Sequence, residues 1–253
     1  MISIYKKLGL TEEAYANKIK EMYESGKSHK EISLEFGCHF DVISRACKKY
    51  DISIRTESER FKVRVKHAKL SDEEKQILDG IMLADGHIEK GKIAARMTYG
   101  SKFLQTLEDI KDVLPSLEFS NLWQSEKTYC WHFKSRFYSE LLTERKRWYP
   151  NDLKIVPNDV YITPLSCYWW FVGDGFATDY GVILCTDSFE KEHKDILVYK
   201  LQEQGFNSHI TPNNGRIRIK GKSAPYFLHW IKSNVEISSQ YIYKWENGKR
   251  MRK

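Results

Sequence analysis

Two aspartates stand where apolar sequence would not be expected to leave them. Asp85 ends the run LDGIMLADG at residues 78–86, Asp174 ends CYWWFVGDG at 167–175, and glycine follows each at once. The two segments lie about 90 residues apart, a spacing that reads as a duplicated unit. A carboxylate set against packed apolar surface is costly unless something compensates it, and at a helix C-terminus its charge also opposes the macrodipole. Two carboxylates in matching contexts point to shared divalent cations, which relieve the repulsion that would otherwise make them share protons. Hard oxygen ligands suit Mg²⁺, with Mn²⁺ or Ca²⁺ able to take the same site. Cations held by such a pair serve phosphodiester hydrolysis, where they stabilise the attacking and the leaving oxygens.

The elements that must position these acids are legible around them. Ser71 and Glu74 have capping-box spacing and open a helix expected to run to Asp85 and Gly86. In the second unit Thr163 caps a helix and Pro164 takes its first position, where a missing N–H is no loss. Gly86 and Gly175 are expected to make left-handed C-terminal turns. Gly80 and Ala84 stand one turn apart, so a second helix can approach along that stripe and bring Asp85 and Asp174 together. Trp169 occupies the place of Gly80 in the second unit, and its bulk is expected to pack into space freed near Gly80.

Strand-like segments follow at 92–99 and 122–134 in the first unit and at 181–186 and 208–220 in the second, with helical stretches at 102–114 and 191–204 between them. Each half then reads helix, strand pair, helix, strand pair, helix. Arg216, Arg218 and Lys220 alternate with Ile217 and Ile219, which makes one strand face basic. That pattern suits a sheet lying on DNA, and it also fits an amphipathic strand facing water. Arg96 and Thr98, with Gln124, His132 and Lys134 on another strand, are candidates for the same surface.

The composition agrees with a polyanionic partner. The 253 residues carry a formal net charge of +7, and the sequence pI is about 9.0. MISIYKKLGL has no signal-peptide hydrophobic stretch, and the most apolar run, near 165–172, is too short to span a bilayer. Cys38, Cys47, Cys130, Cys167 and Cys185 show no CxxC pairing, which argues against structural zinc or a disulfide framework. A soluble, intracellular protein in a reducing compartment is the expectation.

The first 55 residues read as a small helical domain. Tyr15, Ile19, Met22 and Tyr23 form one stripe, and Ser28 with Glu31 opens a second helix whose apolar side is Ile32, Leu34 and Phe36. Gly37 breaks it, and Phe40, Ile43, Ala46 and Cys47 resume helical spacing. Helix, turn, helix is the arrangement that sends the second helix into a major groove, with His39, Asp41, Ser44, Arg45 and Lys48 toward bases or phosphates. A solvated helical face on an ordinary bundle is the plainer alternative. Between 56 and 69 a basic linker carries Arg60, Lys62, Arg64 and Lys66, suited to phosphate contacts.

From about Leu70 onward the chain resembles the two-motif LAGLIDADG homing endonucleases. LDGIMLADG matches the signature at its first Leu, first Gly, late Ala and final Asp-Gly; TPLSCYWWFVGDG is similar to the TPLALAWWFMDDG variant of one branch, as are the flanking LKIVP and LCTDSF. The resemblance implies an α/β fold: a pseudo-twofold duplicated αββαββα core with saddle-shaped DNA-binding sheets, its halves at 70–157 and 158–253. It implies Asp85 and Asp174 as catalytic metal ligands, joined by the Ala84 and Gly173 carbonyls, and Lys154 and Lys244 as basic helpers. Ser101 and Ser188 match positions that often hold water, or they are helix caps. The sixth-position acid of the signature is replaced by Leu83 and Val172, but it is not a catalytic position. The implied activity is that of a monomeric, sequence-specific endonuclease. It would cut both strands of a long asymmetric duplex site across the minor groove and leave 3′ overhangs. The alternatives are a non-catalytic DNA-binding transcription regulator, whose known forms have lost these acids, and an RNA-splicing maturase with RNA as partner.

Overall fold

In a computed structural model of the protein, the described residues are 4–53, 55, 59, 65–233 and 239–246. Arg60, Lys62 and Arg64 lie outside them. The chain forms two compact units, Met1–Arg64 and Val65–Lys253.

The first unit is all α. Helix α1 (Ile4–Lys7) precedes α2 (Glu12–Glu24), which Thr11 caps, and α3 (His29–Glu35), where Ser28 and Glu31 complete a capping box. Residues 36–39 turn the chain, Gly37 taking φ +59, into α4 (Phe40–Lys49). Tyr15, Ile19, Met22 and Tyr23 of α2 pack with Ile32, Phe36, Ile43, Ala46 and Cys47. Leu34 departs from the expected stripe and is 72% exposed; Ser33, rather than Leu34, faces inward beside Ile32. No helix among the described residues is long and apolar enough to cross a membrane.

The second unit repeats one plan twice. Its first half runs α5 (Asp72–Leu83), β1 (His87–Lys90), β2 (Ala95–Ser101), α6 (Leu104–Val113), β3 (Trp123–Gln124), β4 (Trp131–Lys134) and α7 (Ser139–Trp148). The second half runs α8 (Pro164–Asp174), β5 (Gly175–Thr178), β6 (Gly181–Leu184), α9 (Lys191–Glu203), β7 (Ser208–Ile210), β8 (Ile217–Lys220) and α10 (Ser223–Trp230). A 3₁₀ turn (Ser239–Tyr241) and α11 (Ile242–Glu246) follow. Each half builds an antiparallel four-stranded sheet of the same order, β1-β2-β4-β3 and β5-β6-β8-β7. This is the mixed α/β duplication that the sequence resemblance implies. One continuous apolar core joins the halves, with α5 and α8 packed against each other at its centre.

The strand boundaries differ from the sequence reading in one consistent way. Strands β1 and β5 begin at or one residue after the Asp-Gly glycine, at His87 and Gly175, and the strand expected at 92–99 starts only at Ala95, after the turn at 91–94. HIEK and GFAT are four residues each, too short for alternation to mark them. The two Asp-Gly glycines also depart from expectation. Neither has positive φ, and Gly175 is extended at φ −119, ψ 161. Glycine is needed there for space: a Cβ on Gly86 would stand 2.6 Å from the Ile81 carbonyl oxygen, and one on Gly175 would meet the Phe171 backbone.

The α5–α8 seam depends on missing side-chain atoms. A Cβ on Gly80 would lie 2.9 Å from Trp169 Cβ and closer still to the Ser166 carbonyl oxygen, and a Cβ on Gly173 would collide with Ala84 Cβ. Gly80 thus faces Trp169, as expected, while at the other end of the crossing Gly173 faces Ala84, small against small.

Candidate active site

The seam delivers both acids to one place. Helix α5 stops at Leu83, and Ala84, in a non-helical conformation, turns the chain so that Asp85 projects beyond the helix end. Asp174 is the last residue of α8, and its carbonyl accepts from Cys185 N at the end of β6 at 2.7 Å. The charges of the two carboxylates act on each other. Burial and then Asp85 push Asp174 up to about 6, against the pull of Lys244 and Lys154.

Each acid has a lysine that grips its backbone. Lys154 Nζ donates to Ala84 O and Gly86 O, 3.0 Å each, on either side of Asp85. Lys244 Nζ donates to Gly173 O at 3.0 Å and Phe171 O at 3.4 Å, beside Asp174. Both ammonium groups are largely withdrawn from solvent. Burial brings Lys154 down to about 8 while Asp85 and Asp174 hold it up. Burial lowers Lys244 too, opposed by Asp174, Cys185 and Asp85.

The two lysines reach equivalent positions from unrelated scaffolds. Lys154 lies in the stretch between α7 and α8, whose ends are both fixed to Asp79. This buried acid accepts Arg147 Nη1 at 2.6 Å, Arg147 Nη2 at 2.9 Å, Trp148 Nε1 at 3.2 Å and Tyr161 N at 2.9 Å. Lys244 rides on α11, where Trp245 packs edge-on against Phe171 at 4.6 Å. Gln240 and Tyr241, just before it, donate to Asp109 of α6 at 2.9 and 3.0 Å. Residues 239–246 of the second half are therefore moored on the first.

Two carboxylates and two carbonyls, Ala84 O and Gly173 O, make an all-oxygen donor set. Each carbonyl accepts one lysine proton and keeps a second lone pair. Among the described residues no three His, Cys, Asp or Glu side chains converge, but magnesium asks for one or two carboxylates with waters and substrate phosphates. The donors present fit a hard divalent cation.

The sheets carry the remaining polar candidates. Along β2, Ala95, Met97 and Tyr99 point into the core while Arg96 and Thr98 take the open face. Thr98 pairs with Lys134, and Gly100 with His132, so those side chains share that face with Glu89 and Trp123. Asp85 and Lys134 line the same groove. Glu89 holds Arg96 through Nε at 3.0 Å and Nη2 at 2.7 Å, and Lys134 at 3.4 Å. Gln124 falls on the opposite side, opposite Trp131, its amide donating to Tyr129 O at 2.9 Å, because the two-residue strand β3 reverses parity between Trp123 and Gln124. In the second sheet Arg218 and Lys220 alternate with the buried Ile217 and Ile219 along β8, while Arg216 lies just before the strand and is paired with Asp187 at 3.0 Å.

Elsewhere the candidates are dispersed. Arg45 and Lys48 are exposed on α4 and Ser44 is half-buried. His39 accepts from Asp41 N as the cap of α4. Lys66 belongs to the second unit, its N–H bonded to Phe137 O and its ammonium 3.1 Å from Glu118. Ser101 accepts from Phe103 N in a local turn. Asp79, Tyr99 and Asp187 were not singled out by sequence. Asp79 sits inside the signature itself, between Leu78 and Gly80, where an acid with no visible partner was the available signal.

Comparison with known proteins places this geometry. The model of the LAGLIDADG DNA endonuclease family matches residues 75–227, more than half of the chain. The uncharacterized protein MJ1098 of Methanocaldococcus jannaschii is 27% identical over 205 residues, 72% of this chain and 76% of that one. Among solved structures, the homing endonuclease I-WcaI bound to its DNA recognition sequence has a TM-score of 0.62 at 23% identity, covering 78% of this chain and 96% of that chain. Full-length DUF199/WhiA from Thermatoga maritima is more distant, with a TM-score of 0.46 and 17% identity over 78% of this chain and 66% of that one.

Proposed function

This chain belongs to the LAGLIDADG DNA endonuclease family, and from that premise we propose that it is a sequence-specific, divalent-metal-dependent homing endonuclease that cuts both strands of duplex DNA. The observation that carries the reading is the meeting of Asp85 and Asp174 at one seam, each beside a buried lysine. A regulator that only binds DNA has no use for a half-buried acid whose proton affinity is raised by burial and by a second acid beside it.

Asp85, Asp174 and the Ala84 and Gly173 carbonyls would hold Mg²⁺, which when bound supplies Lewis-acid stabilisation to the phosphate under attack. The chain's own groups do the rest. Lys154 and Lys244 fix the backbone on which each aspartate stands, so that the carboxylates are preorganised before DNA arrives. Their buried positive charges favour the extra negative charge that develops on a phosphate, in surroundings where water screens little. The open faces of the two sheets bind the duplex. Arg216, Arg218 and Lys220 on one and Arg96, Thr98, His132 and Lys134 on the other contact phosphates and base edges. Cutting of one strand by each half across the minor groove leaves 3′ overhangs on a long asymmetric site. In the first unit, Arg45, Lys48 and Ser44 of α4 extend the footprint.

A cleavage screen against randomised duplex DNA with Mg²⁺ tests the reading. A defined cut pattern, lost in Asp85→Asn and Asp174→Asn, is the expected outcome. Tight duplex binding with no cut under any divalent cation would favour the regulator instead.

A further inference from the structure

The two halves repeat in topology but not at one position beside the acids. Gly175 pairs with Leu184 across β5 and β6. In the first half His87 pairs with Thr98, so one step earlier Gly86 stands level with Tyr99. Tyr99 and Leu184 are therefore counterparts, a phenol in one half and a plain hydrocarbon in the other.

The phenol is aimed at the site. Tyr99 is buried at the inward face of β2, its ring stacked with Phe133 at 6.3 Å. Its hydroxyl reaches the seam and stands 3.7 Å from where a Cβ on Gly173 would be, next to the carbonyl that Lys244 grips. Tyr99 also lines the groove that exposes Asp85. Burial, then the charges of Asp85 and Asp174, push the phenol well above its ordinary value, so the group stays a neutral donor. A neutral O–H adds no charge to the lysines' work and takes none from the acids. What it offers is direction.

We propose that Tyr99 is a positioning residue that presents a hydrogen-bond donor to the aspartate pair from the first half alone, so that the two strands of a duplex target are cut at unequal rates. The inference rests on the endonuclease reading. Leu184 can offer nothing comparable to the other strand's phosphate.

The test follows each strand separately on a supercoiled plasmid carrying the target, using the full chain and Tyr99→Phe. Wild type is expected to nick one strand faster. Removing the hydroxyl should slow one strand about tenfold, the scale of a lost hydrogen bond to a charged partner, and the other less than about threefold. Melting temperature and DNA affinity measured with Ca²⁺ in place of Mg²⁺ should be unchanged. Equal slowing of both strands, or an unaltered ratio, overturns the inference while leaving the endonuclease reading intact. Should Tyr99→Phe fold poorly, equal strand rates in the wild type overturn it on their own. Failure of the wild type to cut any duplex removes the endonuclease reading and this inference together.

Discussion

Replacing Gly80 with alanine adds one methyl group at the tightest point of the α5–α8 seam. A Cβ there would stand 2.9 Å from both the Ser166 carbonyl carbon and Trp169 Cβ, where ordinary contact begins at 3.4 Å, and it would be nearer still to Ser166 O. Two of these three atoms are backbone, so no side chain can swing aside, and the helices must part by about 1 Å in a core packed at crystal density. Overpacking of this kind costs about 3 kcal/mol, and alanine's better helix propensity returns about 1 kcal/mol. The net destabilisation of about 2 kcal/mol lowers Tm by about 4–8 °C for a unit of this size. Thermal melting by circular dichroism reads the first effect. The second is on chemistry, because the same seam sets the distance between Asp85 and Asp174, and a displacement of about 1 Å can lower cleavage about 100-fold. A Gly80→Ala protein that melts within about 1 °C of wild type and cuts at an undiminished rate would refute the account of the seam.

Other perturbations probe the supports of the site. Asp79→Ala takes the bidentate partner from Arg147, which keeps Asp159 and Glu144, and unties both ends of the stretch that carries Lys154. A loss of about 1–3 kcal/mol is expected in urea unfolding, because the Trp148 Nε1 and Tyr161 N donors lose their buried acceptor. Burial alone would raise Glu74, but bonds from the Ser71 and Ser116 N–H groups and hydroxyls bring it below its ordinary value. A lowered carboxylate contributes stability that is present above its unfolded pKa and is lost as pH falls through the folded one. Wild type should therefore outlast Glu74→Gln at pH 7, and the gap between their Tm values should close below about pH 4. Deleting residues 1–64 should weaken DNA binding or relax site preference in a selection from random duplexes, without abolishing Mg²⁺-dependent cutting. Unchanged binding would give the first unit some other role.

Much of this was legible because it is local. Ser28 with Glu31 and Ser71 with Glu74 announce helix starts through contacts three residues apart, Thr163 before Pro164 announces a third, and a capping box forms at each, the third through Ser166. The repeated Asp-Gly marks both acids because a carboxylate is conspicuous in apolar sequence, although only Asp174 is half-buried and Asp85 stands exposed. What escaped reading depends on partners far away. Asp79 looks like an isolated acid until Arg147 and Tyr161 are folded onto it. Asp109 finds Gln240 and Tyr241 across the whole second half. Gly86 and Gly175 were assigned left-handed turns, the commonest reason for glycine after a helix. Their actual reason, the nearness of the Ile81 and Phe171 backbones, exists only in three dimensions. Gln124 was lost to parity, since a strand of two residues leaves no alternation to count. Tyr99 carries no signal in the sequence because its ring is an ordinary core aromatic, and only the hydroxyl's address is unusual.

The claim on which the rest depends is that Asp85 and Asp174 form one cutting centre. Its most direct test is the cleavage of a duplex selected from a randomised library, comparing wild type, Asp85→Asn and Asp174→Asn with Mg²⁺ and with EDTA. Wild type should cut at one defined position per strand only with the metal. Each asparagine variant should fold, bind the same duplex, and cut at least about 1000-fold more slowly. Cutting that survives in both variants, or that continues in EDTA, would contradict the account.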